Sequence, residues 1–342
     1  MMNIISKLIF FTTLVMGTLI TLSSSSWIGM WMGLELNLLS FIPLMISTNN
    51  ISSTESAIKY FLTQAFASLI FLFASIIYIT KFSFYFFFYL NAENLIINSA
   101  MLLKLGAAPF HFWFPNIIDG LTWINCLILL TWQKLAPLTV LSYSSYSNLI
   151  IGFIMMSALI GALGGLNQTS LRKLLAFSSI NHIGWLLSAS LYSNFLWLFY
   201  FFIYVIINMS VIFMFKLLNL HHVNQIYLFN NKNLILNFCL FMNFLSLGGL
   251  PPFLGFLPKW MIIENLIKTN SFMILFFMIM MTLITLFFYA RLTFTAFMLS
   301  YPSASWKYSY SNKNTIMFIS ILFNLIMILL LIFFMMNNYF LI

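Results

Sequence analysis

The chain consists of long apolar runs separated by short polar linkers, and this pattern predicts eleven membrane-spanning helices. The linkers are sequences such as SSSS at Ser23–Ser26 and NQTS at Asn167–Ser170. About 20 predominantly apolar residues are enough for a helix to cross a bilayer. The predicted spans are Asn3–Leu22, Trp27–Ser47, Ala57–Ile79, Leu95–Asn116, Trp123–Ser142, Leu149–Leu166, Leu171–Leu191, Phe195–Leu217, Leu234–Lys268, Phe272–Ser300 and Ile316–Met336.

The composition agrees with an all-α polytopic membrane protein. Of the 342 residues, 63% are hydrophobic and 6% are charged, and the mean hydropathy is +1.03. A soluble protein of this size could not bury so much apolar surface. The net charge of +9 is dispersed over many spans and forms no basic face, so we predict no nucleic-acid partner. Cys126 and Cys239 lie in apolar runs without partners at metal-ligand spacing, so the sequence predicts no metal site and no cofactor site.

The stretch LLKLGAAPFHFWFP, Leu102 to Pro115, departs from the apolar pattern inside the fourth run. A lysine at the centre of a span costs about 2.5–3.5 kcal/mol on insertion scales, so Lys104 needs a reason to be there. Gly106 and the two prolines predict an interrupted helix, because proline removes a backbone donor and clashes with the preceding turn. Interrupted backbone at membrane depth requires protein or water around it. We therefore predict a polar pathway, in preference to a lysine that snorkels to the interface.

A second stretch, LGGLPPFLGFLPKW from Leu247 to Trp260, repeats this pattern in the ninth run. Both stretches read Leu-Gly, then proline, aromatic residues and proline again, and each carries one lysine, Lys104 or Lys259. An offset of five spans inverts the second copy, which predicts two inverted five-helix repeats with broken fourth and ninth helices. The repeats would comprise residues 1–148 and 149–300, followed by a C-terminal loop and a last helix at residues 301–342. Chance similarity between membrane segments rich in glycine and proline is the alternative.

Four ionisable residues lie near the middle of predicted spans: Glu35, Lys104, Lys134 and Lys259. One carboxylate cannot neutralise three lysines, so some of the lysines must be neutral, hydrated or switchable. A carboxylate about 6 Å from a lysine contributes roughly 3 kcal/mol at an effective dielectric constant of about 20. Moving one charge across about 150 mV takes a similar roughly 3.5 kcal/mol. A change in that distance could therefore load or release a proton, and we expect these four residues to line one hydrated track.

The histidines are weaker candidates. His111 lies one turn from the glycine of the fourth run, and His182 lies within the seventh span. Either could relay a proton through its two ring nitrogens. A simple hydrogen bond between helices would explain each of them equally well. His221 and His222 fall in a loop, where we expect them to be solvated.

The distribution of basic residues predicts the orientation. Lysine and arginine are enriched in loops on the side from which the membrane protein is inserted. One face collects Arg172, Lys173, Lys216, Lys232, Lys307 and Lys313, with Lys7 and Lys59 near it, and the opposite face has Lys81 and Lys268.

The segment FSFYFFFYL, Phe82 to Leu90, is apolar but too short to cross and is expected to lie along the interface.

Four features together resemble the family of mitochondrial NADH dehydrogenase subunit 2 (the chain 2 of NADH:ubiquinone oxidoreductase), the antiporter-like membrane subunits of respiratory complex I. They are Glu35, STESAIKYFLTQ at Ser53–Gln64, KLGAAPFHFWFP at Lys104–Pro115 and SLGGLPPFLGFLPKW at Ser246–Trp260. The resemblance extends over nearly the whole chain. It implies a multi-pass protein of the inner mitochondrial membrane, with its N-terminus in the matrix and its C-terminus in the intermembrane space. The implied activity is proton translocation coupled to electron transfer from NADH to ubiquinone, as part of the H⁺-translocating NADH:ubiquinone reductase.

The resemblance also implies roles and partners. Glu35 and Lys104 would form a modulating pair, Lys134 would connect two half-channels, and Lys259 would stand at the exit side. NADH, FMN, iron–sulfur clusters and ubiquinone would be bound by other subunits. The partners would be other membrane-arm subunits and the lipid bilayer, with cardiolipin as a candidate lipid. A free-standing cation/proton antiporter and a structural assembly subunit are the alternatives; short loops without a soluble domain favour a subunit of a complex.

Overall fold

The computed structural model describes residues 4–47, 50–81, 92–144, 147–229 and 234–298. Within these ranges the chain is helical, and its one β pairing is an isolated bridge between Ser170 and His222. The helices are α1 Ile4–Ser23, α2 Trp27–Met45, α3 Ile51–Lys81, α4 Ala92–Leu105, α5 Trp113–Gly120, α6 Trp123–Leu130, α7 Trp132–Tyr143, α8 Ser147–Gly165, α9 Leu171–Ser190, α10 Asn194–Leu218, α11 Val223–Phe229, α12 Leu234–Gly248, α13 Phe256–Lys268 and α14 Phe272–Met298.

The prediction of a helical polytopic membrane protein is confirmed. Seven helical segments of the described ranges are long and apolar enough to cross a membrane, and they match the first, second, third, fifth, sixth, eighth and tenth predicted spans. The fourth and ninth spans are divided into shorter helices, and α9 carries many polar side chains along its 20 residues. The last span, Ile316–Met336, and the interfacial segment Phe82–Leu90 lie outside the described residues. The count of eleven therefore stays a prediction.

The chain divides into two compact units. The first comprises Met1–Ser157 and His182–Leu191, and the second comprises Ala158–Asn181 and Tyr192–Ile342. In the first unit, α1 packs along α2, α3 packs on α2, α4 and α5, and α4 contacts α7. In the second unit, α10 and α14 both pack on α12 and α13. The inverted repeats at residues 1–148 and 149–300 are defined by topology and stay a prediction.

Small residues allow α1 and α2 to approach each other closely. A Cβ atom added at Gly33 would lie 2.7 Å from the carbonyl oxygen of Gly17, and one added at Gly17 would lie 2.9 Å from the backbone nitrogen of Asn37. Membrane helices commonly pack through such small residues, because apolar side chains gain little by leaving lipid for protein. The contact fixes the segment of α2 that carries Glu35.

The predicted interruption of the fourth span is confirmed. Helix α4 ends directly before Gly106, whose φ of 74° lies in the left-handed region that glycine adopts without strain. The Gly106 N–H donates to the Leu103 carbonyl at 3.1 Å, and the Ala107 N–H donates to the Leu102 carbonyl at 3.0 Å. This pair of bonds is a Schellman motif, which satisfies carbonyls that the helix end leaves free. The chain then turns until Trp113 begins α5.

The ninth span is interrupted in the same way. Gly249 follows α12 with a φ of 82°, and its N–H donates to the Ser246 carbonyl at 3.1 Å. The Leu250 N–H donates to the Leu245 carbonyl at 3.3 Å, which completes a second Schellman motif. Helix α13 begins at Phe256. In both interruptions the next helix begins seven residues after the left-handed glycine.

The structure corrects the register of the internal repeat by one residue. The sequence comparison paired Gly106 with Gly248, because each follows a leucine. The left-handed residue of the second interruption is instead Gly249. With Gly106 paired to Gly249, prolines coincide three and nine residues later in the two segments, and so do the first residues of α5 and α13. The later proline is the third residue of its helix in both cases, where a missing N–H costs no hydrogen bond.

A third interruption was not predicted. The fifth span, expected as one helix over Trp123–Ser142, is divided into α6 and α7 at Thr131, which has φ −115° and ψ −72°. The Thr131 hydroxyl donates to the Leu127 carbonyl at 2.6 Å. Pro137 lies one turn into α7 and cannot donate to the Gln133 carbonyl, which weakens helical bonding just after the break. The single proline of this span was insufficient to predict a break six residues before it.

Candidate functional site

The three mid-membrane lysines all lie at helix interruptions. Lys104 is the penultimate residue of α4, Lys134 is the third residue of α7, and Lys259 is the fourth residue of α13. All three are buried, with exposed fractions of 7%, 2% and 5% in that order. Interruptions leave backbone carbonyls and N–H groups available at membrane depth, which is where buried charge can be accommodated. Each lysine is therefore placed beside polar backbone.

Lys104 and Lys134 line one cavity in the first unit. Its volume is about 20 Å³, and α2 to α7 all contribute to its wall. A cavity of about 10–15 Å³ or more holds a water molecule if polar partners surround it. The space between the two lysines is therefore sufficient for one water. The polar residues of the wall are Asn37, Tyr60, Gln64, Lys104, Gln133 and Lys134.

Glu35 does not line this cavity but interacts electrostatically with Lys104, which does. The carboxylate is half-buried on α2, and its charge interacts with the Lys104 ammonium. Over the described part of the chain, the two groups are not joined by an ion pair within 4.0 Å, and the Lys104 ammonium makes no hydrogen bond. The predicted pair is thus an electrostatic one, with a gap between its members. A gap of this kind allows the interaction to strengthen or weaken when the helices move.

Lys134 contacts the first interruption from α7. Its ammonium lies 5.5 Å from the centroid of the Phe114 ring, within the range of a cation–π interaction. Phe114 is the second residue of α5, so it belongs to the interruption that Lys104 precedes. The ring is buried and shields one side of the lysine. Lys104 and Lys134 therefore face the same interruption from its two sides.

Side chains satisfy the carbonyls at the end of α4. The Trp113 indole donates from Nε1 to the Leu103 carbonyl at 3.2 Å, and the Gln64 amide donates to the Lys104 carbonyl at 3.4 Å. Unsatisfied carbonyls inside a bilayer would cost several kcal/mol each, by the general estimate of about 2–7 kcal/mol for a buried polar group. These bonds allow the helix to end at membrane depth.

Lys259 bonds to the interruption between α12 and α13, in the second unit. Its ammonium donates to the carbonyl of Gly248, the last residue of α12, at 2.9 Å. The side chain passes over Gly249, where an added Cβ atom would lie 2.8 Å from the ammonium nitrogen and 3.0 Å from Cδ. Gly249 therefore provides both the left-handed turn and the space for the lysine.

Replacing Gly249 with alanine is expected to displace Lys259 and destabilise the interruption. A left-handed non-glycine residue costs about 1–2 kcal/mol, before the contact with the lysine is counted. Gly248→Ala is the matched control, because its added Cβ would meet its nearest atoms at 3.7 Å, an ordinary contact. Thermal unfolding of the purified assembly should show a lower midpoint for Gly249→Ala than for Gly248→Ala. Equal midpoints would contradict this role of Gly249.

The histidines occupy different surroundings. His111 is buried in the first interruption, with Nδ1 3.2 Å from the Pro109 carbonyl and its ring against Phe112. This bond requires a proton on Nδ1 and holds the turn together, and His111 does not line the cavity beside Lys104. His182 is buried in α9. The structure thus does not bring His111 into the lysine cavity, and a relay role for either residue stays a prediction.

The loop histidine His221 is less solvated than expected. Its Nδ1 lies 3.2 Å from the Arg172 guanidinium, and its ring is half-buried. Burial, together with the charges of Arg172 and His222, lowers the pKa of His221 below its ordinary value. The ring is therefore neutral at physiological pH and accepts a hydrogen bond from Arg172. Sequence reasoning overlooked the contact because the two residues are 49 positions apart.

Three uncharged residues of the cavity wall were also missed. The Tyr60 hydroxyl donates to Gln133 Oε1 at 3.3 Å, and Gln133 Nε2 donates to Asn37 Oδ1 at 2.8 Å. These bonds link α3, α7 and α2 around the lysines. A signal was present, because Asn37 lies two positions after Glu35 and Gln133 directly precedes Lys134. Polar residues beside mid-membrane charges are therefore themselves a sign of a polar site.

These features define a class: helical membrane proteins in which interrupted helices hold buried lysines beside polar backbone and a small polar cavity. The model of the family "NADH:quinone oxidoreductase/Mrp antiporter, transmembrane" matches residues 24–285. NADH-ubiquinone oxidoreductase chain 2 of Aedes aegypti is 54% identical over 334 residues, covering 97% of this chain and 98% of that protein. The protein of the same name from Anopheles gambiae is 51% identical, covering 96% of each. The chain belongs to the NADH:quinone oxidoreductase/Mrp antiporter family.

Solved structures share the fold. A chain of respiratory complex I from Thermus thermophilus matches with a TM-score of 0.82 and 21% identity, covering 95% of this chain and 77% of that one. A chain of the Mrp complex from a Dietzia species matches with a TM-score of 0.74 and 16% identity, covering 86% of this chain and 61% of that one. At these identities the likeness concerns the fold alone. The antiporter-like architecture that the family resemblance implied is thus confirmed.

Proposed function

We propose that this chain is a proton-translocating subunit of the membrane arm of NADH:ubiquinone oxidoreductase. The observation that carries the proposal is the cavity shared by Lys104 and Lys134, in a chain about half identical to curated chain 2 proteins over almost its whole length. Proton transfer through a membrane needs titratable groups connected by water or short hydrogen bonds. Buried lysines at interrupted helices beside a water-sized cavity provide such groups in the first unit.

The geometry supports distinct roles for the four charged residues. The Glu35 carboxylate acts on Lys104 across a gap, so movement of α2 relative to α4 would change how strongly Lys104 holds its proton. A released proton could pass through the water-sized cavity to Lys134. Lys259, in the second unit, holds its ammonium on the Gly248 carbonyl and would exchange its proton there. We assign all four residues to proton transfer, with His111 and His182 as candidate relays.

The chain's own residues do not perform the redox chemistry in this account. We propose that NADH, FMN, iron–sulfur clusters and ubiquinone are bound by other subunits, and that their electron transfer drives the proton movement in this chain. Neighbouring membrane-arm subunits and the bilayer are the expected partners. Anionic lipids such as cardiolipin fit the excess of positive charge in the chain, which is +9.

The N-terminus is assigned to the matrix side and the C-terminus to the intermembrane space. Arg172 and Lys173 begin α9, and Lys216 lies near the end of α10, at the end of the second unit where Ser170 pairs with His222. Lys268 is the last residue of α13, at the opposite end of that unit, and its ion pair with Glu264 at 2.8 Å adds no net charge there. The excess of positive charge supports a matrix location for the end of the second unit that carries Arg172, Lys173 and Lys216.

A free-standing cation/proton antiporter is the second candidate, and the fold shared with a chain of an Mrp complex favours it. The two candidates differ in what drives the ion movement. In an autonomous antiporter, a gradient of one ion drives the other without NADH. A structural subunit, the third possibility, would need its charges for packing only.

The test is to isolate the chain under mild conditions and to ask whether it carries an NADH-driven proton pump with it. The account expects flavin, iron–sulfur clusters and NADH:ubiquinone reductase activity in the same particle. Reconstituted particles should take up protons on the side where a cysteine at Asn224→Cys is labelled and not where one at Thr269→Cys is labelled. The two positions lie at opposite ends of the second unit: Asn224 lines a pocket with Arg291, and Arg291 lies about 30 Å along α14 from Phe272, which follows Thr269 closely in the chain. The two native cysteines are buried, so they should not be labelled.

Isolation of the chain without redox partners, with cation/proton exchange intact, would favour the antiporter. Proton uptake on the side of Thr269→Cys would contradict the proposed orientation.

A further inference from the structure

We propose that Gln133 is a positioning residue for proton transfer, which sets the spacing between the helices that carry Glu35 and Lys134. This inference rests on the proposed function and adds to it a residue that is neither charged nor able to release a proton. Its side chain makes two directional bonds to two other helices, in the wall of the cavity that Lys104 and Lys134 share.

The amide of Gln133 has a defined orientation. Its Nε2 donates to Asn37 Oδ1 at 2.8 Å, and its Oε1 accepts from the Tyr60 hydroxyl at 3.3 Å. Tyr60 and Asn37 are both buried, so neither can exchange these bonds for bulk water. A chain of neutral hydrogen bonds in a low-dielectric site is strong and resists rearrangement. The three side chains therefore act as one rigid connection between α3, α7 and α2.

The ends of this connection lie beside the charged groups. Gln133 directly precedes Lys134, and Asn37 lies two residues after Glu35 on α2. The bond between Gln133 and Asn37 joins α7 directly to α2, at 2.8 Å. Because Coulomb energy depends on distance, whatever fixes the separation of these helices also fixes the electrostatic field at the lysines. The bond is thus placed to control the charges without carrying a proton itself.

The break at Thr131 explains why α7 needs such a connection. Two residues separate Thr131 from Lys134, and this first turn of α7 has lost regular bonding to α6. The Lys134 N–H donates to the Thr131 carbonyl at 3.2 Å, three residues back rather than the four of a regular α-helix. A turn held weakly by its own backbone could shift, and a displacement of about 1 Å is enough to cost a catalytic group up to about 100-fold in rate. Gln133 anchors this turn from the side.

The cavity also depends on Gln133. With a volume of about 20 Å³, it has space for one water and little more. The wall offers the remaining N–H of Gln133, the lone pairs of Tyr60 and the amide of Gln64 to such a water. A neutral amide cannot accept a proton at physiological pH, so the proton would pass through the water between the two lysines. Gln133 would therefore fix the position of this water relative to Lys134.

The test compares Gln133→Met, Tyr60→Phe and Gln168→Met in the assembled enzyme. Gln133→Met keeps the length of the side chain and removes both bonds, whereas Tyr60→Phe removes only one. Gln168→Met makes the same exchange in the loop after α8, where the amide bonds to the Gly164 carbonyl, away from the cavity. The measurements are NADH-driven quinone reduction and proton uptake per assembled enzyme, with the solvent deuterium isotope effect on each.

Turnover is expected to fall about tenfold in Gln133→Met and about threefold in Tyr60→Phe, the range that one or two lost hydrogen bonds produce. The solvent isotope effect should rise in both, because proton transfer across the cavity becomes slower relative to the other steps. Gln168→Met should match the wild type. A purely structural role would lower the amount of assembled enzyme and leave the isotope effect unchanged.

Wild-type turnover and isotope effect in assembled Gln133→Met would overturn the inference. If Gln133→Met does not assemble, Tyr60→Phe decides, because its single lost hydroxyl leaves the packing intact, and wild-type values there overturn the inference equally. Neither result would affect the proposed function, which depends on proton uptake by the wild-type enzyme. Absence of NADH-driven proton uptake in the wild type would instead remove the proposed function itself.

Discussion

Replacing Lys259 with methionine is expected to abolish most NADH-driven quinone reduction while leaving the complex assembled. Methionine keeps an unbranched apolar stem of similar length and removes the ammonium that donates to the Gly248 carbonyl. A positioned proton donor contributes about 100-fold or more to a rate, so a loss of about 100-fold is the expected result. The measurement is the NADH:ubiquinone reductase rate per assembled enzyme in coupled vesicles.

Lys268→Met provides a matched control on the same helix. Lys268 also lies on α13, but it is exposed and paired to Glu264 at 2.8 Å, and surface pairs of this kind contribute little. Lys259→Gln separates the two roles of Lys259, because its amide can still donate to a backbone carbonyl but cannot titrate. Recovery of activity in Lys259→Gln would show that the bond to Gly248 suffices, and would remove Lys259 from proton transfer.

Replacing Lys104 with methionine is expected to have an effect of the same size. The change removes the charge on which Glu35 acts and the titratable group at the cavity. Glu35 can relieve the loss of its neighbour by taking up a proton, because a neutral carboxyl costs far less to bury than a carboxylate. We therefore expect assembly, with proton transfer and the quinone reduction coupled to it slowed by about 100-fold. Activity per assembled enzyme, measured beside the amount of assembled enzyme, checks both parts of this prediction.

Lys104→Arg distinguishes charge from proton transfer at the same position. Arginine keeps a positive charge beside Glu35 but does not release its proton in proteins. If Lys104 only provides charge for packing, the arginine variant should be active and the methionine variant should fail to assemble. If Lys104 transfers a proton, both variants should assemble and both should be slow. Lys59→Met, which removes an exposed lysine paired to Glu55 on the neighbouring helix α3, should retain wild-type activity.

The interruptions of the fourth and ninth spans could be predicted from sequence because their causes are local. A left-handed glycine followed by prolines admits few other backbone conformations, and a membrane gives few places where such a backbone is tolerated. For the same reason the sequence pointed to Lys104 and Lys259 beside the breaks. Mid-span charges are rare enough that Glu35 and Lys134 also stood out, before any contact was known.

The register of the repeat and the third interruption could not be predicted in the same way. Gly248 and Gly249 are adjacent and equally able to adopt a positive φ, so the sequence does not specify that Gly249 is the left-handed residue. The break at Thr131 depends on how α6 and α7 pack, with one proline as its only local sign. The bonds of Gln133 join residues 73 and 96 positions away, so no periodicity along the chain could reveal them.

The most direct test of the account is simultaneous measurement of proton uptake and NADH-driven quinone reduction in vesicles containing assembled Lys104→Met enzyme. Lys59→Met vesicles, prepared to the same content of assembled enzyme, serve as the reference. The account predicts that both rates fall together in Lys104→Met and remain at wild-type levels in Lys59→Met. Wild-type rates of both activities in Lys104→Met would contradict proton transfer through Lys104, and failure of that variant to assemble would assign the residue to structure.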